Sequence, residues 1–401
     1  MRKKELKKIF AGFLMTSVIL AGCNNTNEAE KKEEPAQEST QKAEEKKEET
    51  PAFDINQTAT AKEVSAYLSI KQELEKMKEN QQVNWDQVIS TYTSDLQNSI
   101  NEINSEYQQA TQVALESGKS GDVDQNIARQ LFDKTTQSYF YQKQKRLQQE
   151  ISELLASGKT EEAKNAFEEV KLLANEVFIP TATKRDELYS LSGEASIVEN
   201  IHSGITTQEE ALNSGNADDF KVFSQITDKS IYKSYYLAAN SYAEKIEAAV
   251  KEGKEDLELK NMQAEAWGFY QAIKESLSGG DEAAATKLND IFSLDKTNAK
   301  DIKAEEVNTL FVSAIKGKIK GYHEKAPAEL EAGNTTEARV KALEGNMFMK
   351  MLEMKLNEKL GAEQAKAAFE TAQKWYDAIA AGNAEEAKTH SEAVLAVLEQ
   401  L

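Results

Sequence analysis

The chain has 401 residues, 49 basic and 68 acidic side chains, a formal net charge of −19, 40% hydrophobic residues and one cysteine. That charge argues against a nucleic-acid partner, because phosphate binding relies on clustered Lys and Arg releasing counterions; one cysteine excludes an internal disulfide or a Cys₄ zinc site. With four prolines and eighteen glycines the chain has few breakers, which favours long helices over a many-turned β fold.

The N-terminus opens with Arg2, Lys3, Lys4, Lys7 and Lys8, followed by an apolar run from Ile9 to Ala21 that only Gly12, Thr16 and Ser17 interrupt. A run of about thirteen residues is too short for a permanent membrane span, which needs about 20. It ends in Leu20-Ala21-Gly22-Cys23 and passes at once into Asn24 and Asn25. This segment resembles the lipobox signal peptide of bacterial lipoproteins. The resemblance covers residues 1–23 and implies cleavage between Gly22 and Cys23, with a lipid on the Cys23 sulfur. Loss of residues 1–22 removes five basic groups and one acidic group, so the mature charge becomes −23. An acylated Cys23 leaves no free thiol for catalysis or metal binding.

Residues 23–58 form the expected tether. The stretch is rich in Glu, Lys, Gln and Thr, carries Pro35 and Pro51, and has almost nothing apolar to bury. Such composition predicts disorder. A coil of that length reaches roughly 30 Å, enough to hold a folded body clear of lipid headgroups. The location expected is the extracytoplasmic face of the cell membrane, lipid-anchored, with a tether length that suits a Gram-positive wall.

From Ala59 onward the hydrophobic period is helical. Phe140, Leu147, Ile151 and Leu154 share a seam, as do Tyr235, Ala239, Tyr242, Ile246 and Ala249, and Ala365, Phe369, Ala372, Tyr376 and Ile379. One device ends helix after helix: a glycine, a polar residue and an acidic residue a few positions on. It stands at Gly158, Gly333 and Gly382, with variants at Gly215, Gly253 and Gly280. Glycine suits the left-handed end of a helix, and Thr, Asn or Asp after it can cap the next one. These positions predict αα-hairpins.

A larger repeat aligns Gly253–Leu277 with Gly333–Leu356, matching Glu265 to Glu344, Phe269 to Phe348, Ile273 to Leu352 and Leu277 to Leu356. A weaker third copy spans Tyr139–Phe178, with about one extra turn before Phe178. The glycine spacings do not fit the roughly 34-residue tetratricopeptide period. The expected fold is therefore all-α, with αα-hairpin repeats packed as one or two bundles: a helical domain over 59–192, a connector with short helices over 193–232, and a hairpin-repeat domain over 233–401.

Few residues suggest chemistry. Gly118-Lys119-Ser120 and Gly158-Lys159-Thr160 lack the upstream glycine and strand of a phosphate-binding loop. Met347, Met351 and Met354 fall at i, i+4, i+7, a spacing suited to Cu(I) or to core packing. His390 shares an apolar face with Ala387, Val394 and Val397, while His202 and His323 lie in other contexts. Glu265 and Glu344, facing each other, would share a cation or salt-bridge a lysine such as Lys245, Lys316 or Lys318. No histidine stands in a hydrolase context, so an enzyme is not expected.

The export signal, the acidic hairpins and the aromatic-Glu spacing resemble, in architecture alone, the imelysin-like modules of bacterial iron uptake. The His-x-x-Glu of those proteins is absent, as is the Arg-Glu-x-x-Glu of iron permeases, so no residue roles carry over. The expected function is a membrane-anchored binding or scaffolding module with an unknown protein or small ligand as partner. Its alternative is iron, haem or copper binding through Glu265, Glu344, His390, Met347, Met351 and Met354. Apart from the covalent lipid, no cofactor is expected.

Overall fold

The computed structural model describes residues 53–401, and within them the protein is all-α, with no strand. Gly22, Cys23 and most of the tether lie outside the described residues. Residues 53–58, expected as tether, are ordered. Asp54 accepts from the Asn56 backbone N–H to start a 3₁₀ turn at Ile55–Gln57, and Thr58 then caps the first helix through the Ala61 N–H. No helix among the described residues is long and apolar enough to cross a membrane.

The helices run in chain order as α1 (Ala59–Glu75), α2 (Trp85–Asp95), α3 (Gln97–Ile103), α4 (Ser105–Ser120) and α5 (Gln125–Ala156). Then come α6 (Thr160–Leu173), α7 (Ile179–Tyr189), α8 (Ile197–Asn213), α9 (Ala217–Lys251) and α10 (Asp256–Gln271). The chain ends with α11 (Lys274–Ser278), α12 (Glu282–Phe292), α13 (Ala304–Glu331), α14 (Thr335–Met351), α15 (Glu353–Leu360), α16 (Ala362–Ala380) and α17 (Ala384–Leu398).

Helix α9 is the axis of the molecule. It packs against α5, α7, α8, α10, α13 and α14, and every residue from 226 to 241 is buried. A helix surrounded on all sides cannot present a polar face to water. The boundary expected at 232/233 therefore falls inside a continuous helix, and the expected connector is α8 plus the first half of α9. One apolar core runs from Val64 on α1 to Leu398 on α17 through all three expected segments. A smaller cluster gathers Val222, Ile226, Leu343, Met347, Trp375 and Ile379.

The hairpin turns follow the glycine pattern. At Gly158, Gly215, Gly253, Gly333 and Gly382 φ lies between 67° and 81°, and the next residue's N–H returns five positions, as Lys159 to Leu154 and Asn334 to Glu329, both at 2.9 Å. This double closure satisfies the last carbonyls of the helix. Gly280 differs from the expected variant, because its φ is not left-handed. Its role is close approach: a Cβ on the facing Gly317 would lie 2.0 Å from the Gly280 carbonyl oxygen.

The repeat is visible in three dimensions. Both second helices stop at matched positions, α10 before Ile273 and α14 before Leu352, and each resumes as a shorter helix. In the third copy the extra turn before Phe178 coincides with a π-helix at Ala174–Phe178. Tyr242 stacks on Phe269 with ring centroids 6.2 Å apart, and Tyr322 stacks on Phe348 at 5.6 Å.

Candidate functional site

Asp228 and Lys229 stand side by side in the buried centre of α9, 3% and 6% exposed. They stay there because other helices supply their partners. The Tyr141 hydroxyl on α5 donates to Asp228 at 2.6 Å. Lys229 donates to Asp228 and pairs with Glu344 on α14 at 3.0 Å. Glu344 also accepts from the Tyr322 hydroxyl on α13 at 3.1 Å and from Lys341 at 3.1 Å. Four helices thus converge on three charges.

The electrostatics agree on one protonation state. Burial pushes the Asp228 and Glu344 carboxyls up, but Lys229, helped by Lys145 at the first and Lys341 at the second, holds both below their usual range. Burial pushes the Lys229 ammonium down, and Asp228 and Glu344 hold it well above the usual lysine range. All three are ionised at neutral pH, with a net charge of −1. Removing charges from water is costly unless they are paired and hydrogen-bonded, and here they are.

The triad floors a cleft of about 540 Å³ between α5 and α9. Above it the walls carry Lys145, Gln148, Gln149 and Ser152 from α5, and Asp218, Lys221, Ser224 and Gln225 from α9. Amides, hydroxyls and charges of both signs suit a small polar ligand better than an apolar one. Lys145 has no ion-pair partner among the described residues and rests over the Tyr141 ring, 5.6 Å from its centroid.

A second arrangement of the same kind lies one repeat earlier. Asp133 and Lys134 on α5 correspond to Asp228 and Lys229. The Tyr67 hydroxyl donates to Asp133 at 2.5 Å, and the Lys134 ammonium lies 4.6 Å over the Phe269 ring. Glu265 accepts from the Tyr242 hydroxyl and from Gln130. Gln130 occupies Glu265, so no lysine bridges this pair as Lys229 bridges Asp228 and Glu344.

The structure places the sequence-derived candidates as follows. Glu344 belongs to the triad, whereas Glu265 sits in the earlier copy, and the two share no hydrogen-bond or ion-pair partner. Met347 packs in the smaller core and Met351 in the main one, both buried. The expected single helix face does not exist, because α14 ends at Met351 and Met354 lies on α15. Met349, on the opposite side of α14, is also buried, since α14 has neighbours on both sides.

His390 is partly buried, at the margin of the face that carries Ala387 and Val394. Its side chain is 21% exposed and its Nε2 lies 3.6 Å from Glu386. The buried histidine is His323, stacked on Trp375 with ring centroids 3.6 Å apart and with Nδ1 2.8 Å from the Ser391 hydroxyl. Burial pushes its pKa down to about 3. Among the described residues no three His, Cys, Asp or Glu side chains are grouped to hold a metal ion.

Sequence reasoning missed Asp228, Lys229 and Lys145. The signal was present: an Asp-Lys pair, at 133–134 and again at 228–229, each followed by a hydroxyl residue and two aromatics further along. No protein-family model, curated protein or solved structure matches this chain.

Proposed function

We propose that the protein is an extracytoplasmic lipoprotein, held at the cell membrane by a lipid on Cys23, whose helical body binds a small polar ligand in the cleft above Asp228, Lys229 and Glu344. One observation carries the binding reading: three buried, ionised side chains are presented at the floor of an open cleft lined by amides and hydroxyls. Fixed, oriented charges facing a cleft suit a ligand site. The anchor rests on the Leu20-Ala21-Gly22-Cys23 sequence. At −23 the mature chain is repelled by an anionic leaflet, which leaves the lipid as the main attachment.

Two experiments test the two parts. Labelled palmitate should enter the wild-type chain in cells and fail to enter Cys23→Ser; equal labelling removes the anchor. A melting-shift panel of amino acids, amino sugars and peptides on the full chain should yield a compound that raises the melting temperature, because binding to the native state stabilises it. The shift should shrink in Lys145→Met and Ser224→Val. A panel without any shift, alongside robust turnover of a substrate, supports an enzyme on the same scaffold instead.

A further inference from the structure

Arg185 on α7 is 6% exposed, yet no carboxylate among the described residues pairs with it. Its single hydrogen bond runs from Nη1 to the Ser241 hydroxyl on α9 at 3.5 Å, the outer limit for such a contact, and its Nε has no partner. A guanidinium carries five donors and cannot shed its charge, so leaving it buried and unpaired is expensive. Elsewhere this fold provides counter-charges: Arg339 has Asp219 at 2.6 Å, Lys229 has two carboxylates, and Lys134 has Asp133.

Two of the nearby carboxylates are otherwise engaged, and a third, Glu244, stands beside Lys245. Asp186, next in sequence, accepts from the Ser196 hydroxyl at 2.6 Å and from the Ile197 and Val198 N–H groups at 2.8 and 3.1 Å, so it caps α8. Glu265 is held by Tyr242 and Gln130. Cations accumulate instead. Lys245, one turn beyond Ser241 on α9, has no ion-pair partner among the described residues and lies 4.7 Å over the Tyr242 ring. Burial, and then the Arg185 charge, lower its pKa against the opposing pull of Glu265 and Glu244.

We propose that Arg185 and Lys245 form a receptor for one oxyanion group, a carboxylate or a phosphate carried by a small ligand, held between α7 and α9. The guanidinium supplies the planar fork that grips two oxygens at once, and Lys245 supplies a second positive charge. This site lies along α9 on the far side of Tyr235 and Tyr236 from the Asp228–Lys229 cleft, and it stands whether or not that cleft binds anything.

The test is a melting-temperature titration of the full chain with inorganic phosphate and with acetate, each against chloride at equal ionic strength. One of the two anions should raise the wild-type midpoint above the chloride control, and which one does so assigns phosphate or carboxylate. Arg185→Met and Lys245→Met should each weaken that anion's apparent affinity by about tenfold or more, the loss of one charge-assisted contact. Arg185→Lys, which keeps the charge and loses the fork, should fall between wild type and Arg185→Met. If Arg185→Met does not fold, Lys245→Met carries the same comparison. No shift beyond chloride with either anion, or an equal shift in wild type and both methionine variants, overturns the proposal.

Discussion

The Lys229 ammonium lies 3.0 Å from the Glu344 carboxylate, so the central helix α9 and the hairpin helix α14 are joined by a buried ion pair whose third member is Asp228. The pair ties two successive repeats together, and the earlier copy lacks it. There Asp133 pairs with Lys134 and with Lys71 on α1, and Gln130 rather than a lysine holds Glu265.

Removing only Lys229 leaves two buried carboxylates without their shared cation. Lys229→Met should cost about 3–5 kcal/mol in urea denaturation, the range for breaking a buried pair from one side. The combined Asp228→Asn, Lys229→Met, Glu344→Gln chain should recover part of that loss, because no uncompensated charge remains. A triple variant less stable than Lys229→Met would show that the cluster contributes stability as a unit.

His323 makes stability fall in mild acid. Its pKa is about 3 in the folded protein against 6.5 for an ordinary histidine. Between those values the unfolded chain binds one more proton than the folded one, so stability rises with pH across this window and is lost as pH falls below 6.5. The slope from this group approaches about 1.4 kcal/mol per pH unit. Between roughly pH 6 and 5, above the carboxylate range, denaturation of His323→Gln should show a flatter slope than wild type.

Lys318 acts at the opposite end. Its ammonium sits 5.1 and 5.4 Å from the Tyr322 and Phe348 ring centroids, and burial followed by the Lys229 charge lowers its pKa to about 8. From about pH 8 to 10 the unfolded chain holds this proton while the folded chain releases it, so this group makes stability rise with pH. Lys318→Met should remove that part of the rise and be more stable than wild type at pH 7. Identical pH profiles for the two chains would contradict the assignment.

Two glycines on α13 should respond in opposite ways to alanine. A Cβ on Gly317 would press on the Gly280 backbone, while a Cβ on Gly321 meets nothing within 4 Å. Gly317→Ala should destabilise by about 1–3 kcal/mol, the cost of overpacking. Gly321→Ala should stabilise by about 0.5–1 kcal/mol through helix propensity. Thermal midpoints measured side by side check both signs.

The all-α class and most hairpin turns were legible in the sequence, because helical period and glycine placement are local signals. The correspondence of Glu265 with Glu344 was legible too, whereas the breaks before Ile273 and Leu352 were not. The domain division was not, since only the packing around α9 shows that Ile226–Ser241 is enclosed on every side. The triad was hidden for the same reason. Nothing local to Asp228 and Lys229 marks them as buried; Tyr141, Tyr322 and Glu344, remote in sequence, close over them. Local spacing also misled at Met354, where a break after Met351 removes the shared face.

The binding claim is tested most directly by hydrogen–deuterium exchange of the full chain, with and without the compound giving the largest melting shift. The account predicts slower exchange in the α5 segment 145–153 and the α9 segment 217–229, which line the cleft, with that protection reduced in Lys145→Met. Protection confined to segments remote from both, or unchanged by that substitution, would contradict it.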